Sequence, residues 1–279
     1  MSELLLYLSQ PFAQHALLAA SLVAISCGLI GPFVISRRMA FAVHGTSELA
    51  FTGAAAGLLI GGNPIAGALI GSLVVASVIG LLGVREHERD SSIGVILAFG
   101  LGLGVLLLSF YRGFATEATN ILFGNIFGVS NGQLLALLVI AIGVIAVMTF
   151  IYRPLMFASV DPEVALARGV AVRGLGIIFL FVLALTVTAA AQVVGTLLVL
   201  SLAITPAAAA QRLSAKPVLV TLLSVLFALI ASDGGIMASL VLNTVKPSVL
   251  VTSTSFLIYI VARLFGGRVK SRRAEVVSV

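Results

Sequence analysis

Nine apolar stretches follow one another along the chain, separated by short polar or glycine-rich segments. They cover residues 15–36, 46–61, 64–84, 93–111, 132–152, 174–193, 196–213, 217–232 and 247–265. A helix that crosses a bilayer needs about 20 mostly apolar residues, and most of these stretches approach that length. The pattern therefore predicts an all-α fold, a polytopic membrane helix bundle with about nine transmembrane helices, or eight if one short stretch is re-entrant.

The composition indicates that lipid is the solvent for most of the chain. Of the 279 residues, 60% are hydrophobic and 9% are charged, whereas a soluble domain has about 25% charged residues. A soluble enzyme, a disordered protein and a nucleic-acid-binding domain are therefore excluded. The single cysteine, Cys27, excludes an internal disulfide and a metal site built from several cysteines.

The basic residues predict the orientation of the bundle, because cytoplasmic loops of membrane proteins are rich in Lys and Arg. Basic residues follow each odd-numbered stretch, at Arg37, Arg38, Arg85, Arg89, Arg153, Arg168, Arg173, Arg212, Lys216, Arg263, Arg268, Lys270, Arg272 and Arg273. These segments are predicted to be cytoplasmic, with the N-terminus outside and the C-terminus inside. The loops predicted to lie outside are 61–64, 112–131, 194–195 and 233–246. One transmembrane domain, 1–266, is expected to precede a basic cytoplasmic tail, 267–279.

Two ionisable residues at the start of the second stretch are the strongest candidates for a metal pathway. His44 and Glu48 are four residues apart, so on a helix their side chains share one face. An imidazole nitrogen with a carboxylate oxygen suits zinc, manganese or iron. Gly45 could break the helix and expose backbone groups, as in the discontinuous helices of transporters. Alternatively, the two residues cap a helix at the membrane interface.

A short helix is predicted inside the loop 154–173, on the cytoplasmic side. Asp161 is placed to cap it, Pro162 occupies its first turn and Gly169 ends it. A helix in a loop of a protein with almost no soluble mass indicates a docking surface for a soluble partner.

Other polar positions give weaker signals. Asp233 is expected in an outside turn, because Gly234 and Gly235 follow it. Asn243 either helps to line a pathway or ends a helix. Pro206 is predicted to kink or break the seventh stretch by removing a backbone donor. The sequence contains no GxxxxGK[ST] phosphate-binding loop, so ATP hydrolysis by that route is not expected of this chain.

Several segments together resemble the permease subunit of zinc, manganese and iron ABC importers. They occur in the family's order and cover most of the chain: GLIGPFVISRRM at 28–39, SELAFTG at 47–53, DSSIG at 90–94, LFGNIFGVS at 122–130, DPEVALARGV at 161–170 and GTLLVLSLAITPAAAAQR at 195–212. The resemblance implies a multi-pass protein of the cell membrane. It also implies a homodimer of permeases with two ATPase subunits and an extracytoplasmic metal-binding protein.

The resemblance also assigns roles to individual residues. Segment 161–169 matches the helix that couples the permease to its ATPase, with Asp161, Glu163, Ala165 and Gly169 at the matching positions. The family has an Asp and a His four apart at the start of its second span.

These family positions fall on His44 and Glu48 in reversed order, while a family proline falls on Thr52 and a family Asp on Asn243. Across a twofold axis the pair would supply two imidazoles and two carboxylates. No permanently bound cofactor is expected. The transported divalent metal would be zinc or manganese, or iron.

Two other functions remain open at this point. A secondary metal or ion transporter would need intramembrane carboxylates for coupling, and Glu48 is the only obvious one. A non-transporting membrane scaffold would need no metal site at all. The resemblance favours an ATP-driven permease that is not itself an enzyme.

Overall fold

The structure is a computed structural model, and it describes residues 9–82, 86–111, 123–196, 199–242 and 245–277, with the side chains of 81–93 and 267–277 outside the description. The α-helices are α1 Pro11–Ser36, α2 Ala40–Leu59, α3 Pro64–Leu82, α4 Glu86–Phe110, α5 Asn131–Val160, α6 Pro162–Ala167, α7 Val172–Val194, α8 Val199–Ala203, α9 Thr205–Leu213, α10 Pro217–Leu242 and α11 Pro247–Val277. A 3₁₀ turn, Ile126–Gly128, precedes α5. The described residues contain no strand, which confirms the all-α prediction.

Five of these helices are long and apolar enough to cross a membrane by length and composition, counted over the described residues. They are α1, α5, α7, α10 and the segment Pro247–Gly266 of α11. Shorter apolar segments are Pro64–Gly80, Gly94–Phe110 and Val199–Leu213. The predicted count of about nine spans is therefore not settled by helix length and stays a prediction.

Helix α1 lies at the centre of the bundle and packs against α5, α7, α9 and α10. Small side chains make this possible, because they let helix backbones approach closely in lipid. A Cβ at Gly28 would lie 2.5 Å from the backbone of Val225 on α10, and a Cβ at Gly31 would lie 2.7 Å from the carbonyl of Ala203. The neighbours of α1 are thus held at backbone contact distance.

Helices α2, α3 and α4 form a second tightly packed group. A Cβ at Gly53 on α2 would overlap the carbonyl oxygen of Gly67 on α3, and a Cβ at Gly67 would overlap that of Gly53. On the other side, a Cβ at Gly104 of α4 would lie 2.6 Å from the ring of Phe51. Side chains larger than hydrogen are therefore excluded from both contacts.

The seventh apolar stretch is broken, as Pro206 predicts. Helix α7 ends at Val194, and its C-cap Gly195 has φ 95°. The described chain then forms the short helices α8 and α9. Ile204 separates α8 from α9, and Pro206 lies in the first turn of α9. Since proline has no N–H, it cannot continue the hydrogen-bond ladder of α8 across this point.

Two local predictions about helix breaks are wrong. Gly45 lies inside α2, which is continuous from Ala40 to Leu59. Asp233 and the two glycines after it lie inside α10 rather than in an outside turn. The missing side chain of Gly235 lets α11 approach α10 closely, because a Cβ there would lie 2.5 Å from the backbone nitrogen of Val251.

Candidate functional site

His44 and Glu48 lie in the interior of α2, not at its end. The N-cap of α2 is Met39, so His44 follows it by five residues and Glu48 by nine. Glu48 is 2% exposed and His44 is half-buried. The alternative in which the two residues cap a helix at the membrane interface is therefore wrong.

Both side chains present a buried polar atom without a hydrogen-bond partner. Nδ1 of His44 and Oε2 of Glu48 are buried, and neither has a partner among the described residues. A carboxylate removed from water is costly unless a cation, a proton or a donor compensates it. The pair can therefore bind a cation. Without one, an unpaired carboxylate at this buried position is energetically unfavourable.

Two hydroxyl groups near Glu48 on α2 form hydrogen bonds to neighbouring elements. Thr52 donates to the carbonyl of Glu48 at 3.0 Å and lies 2.6 Å from the carbonyl of Gly100 on α4. Ser47 donates to the carbonyl of Thr196, in the turn after α7, at 2.8 Å. Ser47 and Thr196 were not singled out as site residues from the sequence, because their contact joins positions 149 residues apart.

One chain supplies only two candidate metal ligands at this position. Within the described ranges, no three His, Cys, Asp or Glu side chains are grouped closely enough to hold one metal ion. Asn243, the weaker candidate, lies outside the described residues. Asp233 is placed elsewhere, between α10 and α1, where both of its carboxylate oxygens lie within hydrogen-bond distance of Ser21.

A cavity of about 560 Å³ lies between α2, α3 and α7, at the end of the bundle where α2 ends and α3 begins. Its lining includes Ala54 on α2, Ala68 on α3, and Gln192 and Thr196 at the end of α7. His44 and Glu48 are not part of this lining. The cavity is thus lined by α2, which carries the candidate ligands, but the ligands themselves do not line it.

The short helix α6 forms as the sequence predicts. Asp161 caps it by accepting a hydrogen bond from the backbone N–H of Val164 at 3.0 Å. Gly169 follows the C-cap with φ 81°, and its N–H and that of Val170 bond to the carbonyls of Leu166 and Ala165. This pairing is a Schellman motif, which needs a residue that tolerates positive φ.

The surface that α6 presents differs from the set chosen by resemblance. Ala165 is fully buried, facing the rest of the bundle, while Glu163 is exposed. Two apolar residues that the sequence did not single out, Val164 and Leu166, are 43% and 65% exposed. Ala165 therefore anchors the helix, and its neighbours form the outward surface.

Comparisons with known proteins add the family context. The model of a family described as the ABC 3 transport family matches residues 9–266. The chain is 34% identical to the manganese transport system membrane protein MntC of Halalkalibacterium halodurans, over 89% of this chain and 86% of that protein. It is 26% identical to the high-affinity zinc uptake system membrane protein ZnuB of Haemophilus influenzae, over 85% of this chain and 92% of that protein.

A solved structure is also similar to this chain in its fold. PsaBC from Streptococcus pneumoniae in complex with Fab matches with a TM-score of 0.84 and 26% sequence identity. The match covers 94% of this chain and 94% of that chain. The fold of this chain is therefore that of a chain of known structure over nearly its full length.

Proposed function

This chain belongs to the ABC 3 transport family, and we propose that it is the membrane permease subunit of an ATP-driven importer of a divalent transition metal, manganese or zinc. The observation that supports this most is the buried pair on α2. Glu48 and His44 present unpartnered oxygen and nitrogen atoms inside a membrane bundle. Relatives are named for manganese and for zinc, and a pair of one imidazole and one carboxylate suits both metals.

Energy comes from a separate ATPase subunit. The sequence contains no phosphate-binding loop of the GxxxxGK[ST] kind. The exposed apolar residues Val164 and Leu166 on α6 suit insertion into a groove on a soluble partner. Two permeases, two ATPases and an extracytoplasmic metal-binding protein make up the proposed complex.

The proposed topology has nine crossings of the plasma membrane. The crossings are α1, α2, α3, α4, α5, α7, the broken pair α8 and α9, α10 and α11. Helix α6 then lies in the cytoplasm, at the same end of the bundle as the basic segments after the odd crossings. The N-terminus is outside and the C-terminus inside.

Transport follows from alternating access to the pair on α2. Around a twofold axis, two copies of His44 and Glu48 supply four ligands, enough for tetrahedral zinc or for manganese with added waters. ATP binding draws the ATPases together, and α6 transmits this motion to α5 and α7, against which it packs. The metal is then released inward because the ligand sets of the two protomers separate.

The test is radiolabelled manganese or zinc uptake into proteoliposomes that hold the complete complex. We expect uptake to require ATP on the ATPase side and to stop when the ATPase is omitted. Uptake that persists without the ATPase, driven by a proton or sodium gradient, would establish a secondary transporter instead. If no condition gives metal-dependent flux, the protein is a non-transporting scaffold.

A further inference from the structure

The cavity between α2, α3 and α7 has an uncharged polar lining. Its polar side chains include Tyr111, Asn125, Gln133, Thr188, Gln192 and Thr196, and among the described residues no Asp, Glu, Lys or Arg belongs to the lining. Interspersed with them are small apolar residues such as Ala50 and Ala191. A site of this composition suits a ligand that is surrounded by water, since it offers hydrogen bonds without a fixed charge.

Two of these polar groups have no partner within the described part of the chain. Oγ1 of Thr196 and Nε2 of Gln192 are both buried and unpaired, and Thr196 is only 2% exposed. The terminal amide of Gln192 can present either its oxygen or its nitrogen after a half-turn, because the two ends are nearly the same shape. Unpaired polar atoms in a polar, roomy hollow are satisfied by water.

The deep end of the cavity reaches the neighbourhood of Glu48. Thr196 lies against Ser47, whose hydroxyl donates to its carbonyl at 2.8 Å. From Ser47, helix α2 continues to Leu59, a rise of roughly 18 Å at about 1.5 Å per residue. The turn after α7 therefore lies inside the bundle. It contacts Ser47, the residue directly before the candidate ligand Glu48.

The shallow end of the cavity lies at the bundle surface. Gly61 and Gly62, in the turn between α2 and α3, belong to the lining and are exposed. Gln133, also in the lining, accepts through Oε1 from the backbone N–H of Ser130, so its amide nitrogen remains available. In the proposed topology this surface is the outside of the cell, where the metal arrives.

The cavity is large enough for a hydrated ion. At about 30 Å³ per molecule, the six waters around a divalent cation occupy roughly 180 Å³, which fits within the cavity of about 560 Å³. The waters bound to such a cation are strong donors, and hydroxyl and amide oxygens accept from them. Neutral acceptors bind weakly enough to release the ion, which transport requires.

We propose that this cavity is a water-filled vestibule within each protomer. It receives the divalent metal ion with its water shell, which Thr196 and Gln192 hold by hydrogen bonds before the ion passes Ser47 and loses water to His44 and Glu48. This inference rests on the proposed function, and it adds an outer-sphere site that precedes the direct ligands.

Accessibility of the vestibule can be measured by cysteine labelling in a Cys27→Ala background. Ala54→Cys and Ala191→Cys place thiols in the lining, and Val139→Cys, at a position 63% exposed in the half of α5 nearer the proposed outside, is the control away from the cavity. We expect a cationic, membrane-impermeant thiosulfonate added outside to modify both cavity thiols at least about tenfold faster than the control. Manganese should slow that modification. Cavity thiols as unreactive as the control, or a reaction rate indifferent to manganese, would overturn the proposal.

The role of the two side chains can be measured by uptake in the complete complex. Thr196→Val and Gln192→Leu should each raise the manganese concentration for half-maximal uptake about 3- to 10-fold, because each removes one hydrogen bond to the hydrated ion. Maximal rate should be retained, and Thr196→Ser should restore the original value. The bond from Ser47 survives these changes because it uses the backbone carbonyl of Thr196.

The outcomes separate this proposal from the function on which it rests. An unchanged half-saturation in both variants, while Glu48→Ala abolishes uptake, would overturn the vestibule and leave the permease. Unchanged transport in Glu48→Ala, His44→Ala and the vestibule variants alike would overturn both the vestibule and the pair on α2, whereas the permease function is overturned only if the unmodified complex shows no ATP-dependent metal uptake. Thermal stability of each purified variant, compared with the unmodified complex, reports any loss of folding.

Discussion

The hydroxyl of Ser21 on α1 lies 3.1 Å from Oδ1 and 3.0 Å from Oδ2 of Asp233 on α10. An aspartate in the middle of a membrane helix is rare, and such residues pair with a polar group on a neighbouring helix. Ser21 is that group here, and it joins the central helix α1 to α10. The same contact gives the carboxylate of Asp233 a hydrogen-bond donor inside the bundle.

We predict that Ser21 and Asp233 are energetically coupled. In a double-mutant cycle of Ser21→Ala and Asp233→Ala, the coupling should be about 0.5–1.5 kcal/mol, the range for interhelical hydrogen bonds in membranes. Thermal or denaturant unfolding of the purified protein measures each corner of the cycle. Strictly additive effects would mean that the two side chains do not stabilise the contact between α1 and α10.

We predict that Gly53 cannot be enlarged. Gly53→Ala places a Cβ against the carbonyl of Gly67, so α2 and α3 must separate, at a cost of about 1–3 kcal/mol or more. Gly102→Ala is the matched control, because nothing lies within 4 Å of its Cβ position and alanine favours the helix over glycine by roughly 0.5–1 kcal/mol. The melting temperature should fall for the first variant and stay level or rise for the second. Equal behaviour would contradict close packing of α2 on α3.

We predict that His44→Ala and Glu48→Ala each abolish metal uptake, because each removes a buried, unpartnered ligand atom. Assembly and basal ATP turnover should persist. The exchanged variant, His44→Asp with Glu48→His, keeps one imidazole and one carboxylate on the same helix face and should retain part of the activity. Radiolabelled uptake by proteoliposomes is the measurement. Near-normal uptake by both alanine variants would place the pathway elsewhere, with Asp233 and Asn243 as the next residues to change.

We predict that α6 couples the permease to its ATPase. Glu163→Lys reverses an exposed charge in the first turn, and Gly169→Val forces a branched residue into φ 81°. Both should weaken co-purification of the ATPase and lower metal-stimulated ATP turnover while the membrane bundle survives. Gly143→Val, in open space on α5, is the control that should change neither. Full co-purification and full turnover in both α6 variants would exclude the docking role.

We predict that the 61–64 turn and Lys246 face outside, and that 268–273 faces the cytoplasm. Single cysteines at Asn63, Lys246 and Arg272 in a Cys27→Ala background report this with an impermeant maleimide. Intact cells should label the first two positions, and the third should label only after the membrane is opened. Labelling of Arg272→Cys in intact cells would reverse the topology.

Much of the architecture is readable in the sequence, because a bilayer imposes simple demands. Every backbone group in lipid must be satisfied internally, so long apolar runs become helices. The capped helix α6 is also readable, since Asp161, Pro162 and Gly169 act through their own neighbours. The break near Pro206 follows from the missing N–H of one residue.

The sequence does not reveal which groups meet across helices. Asp233 followed by two glycines has the pattern of a turn, but it lies inside α10, where Ser21 contacts its carboxylate and α11 packs closely against Gly235. The burial of Ala165 is decided in the same way, by what packs against α6.

In the candidate site, too, some features follow from the sequence and others only from tertiary packing. The spacing of His44 and Glu48 alone predicts a shared face and metal-binding chemistry. Their burial without partners, the contact of Ser47 with Thr196 and the cavity above it depend on the packing of α2 against α4 and the sunken turn after α7. Local sequence determines helices, caps and breaks through backbone hydrogen bonding, whereas the depth and the neighbours of a side chain come from packing between separate helices, some of them more than a hundred residues apart.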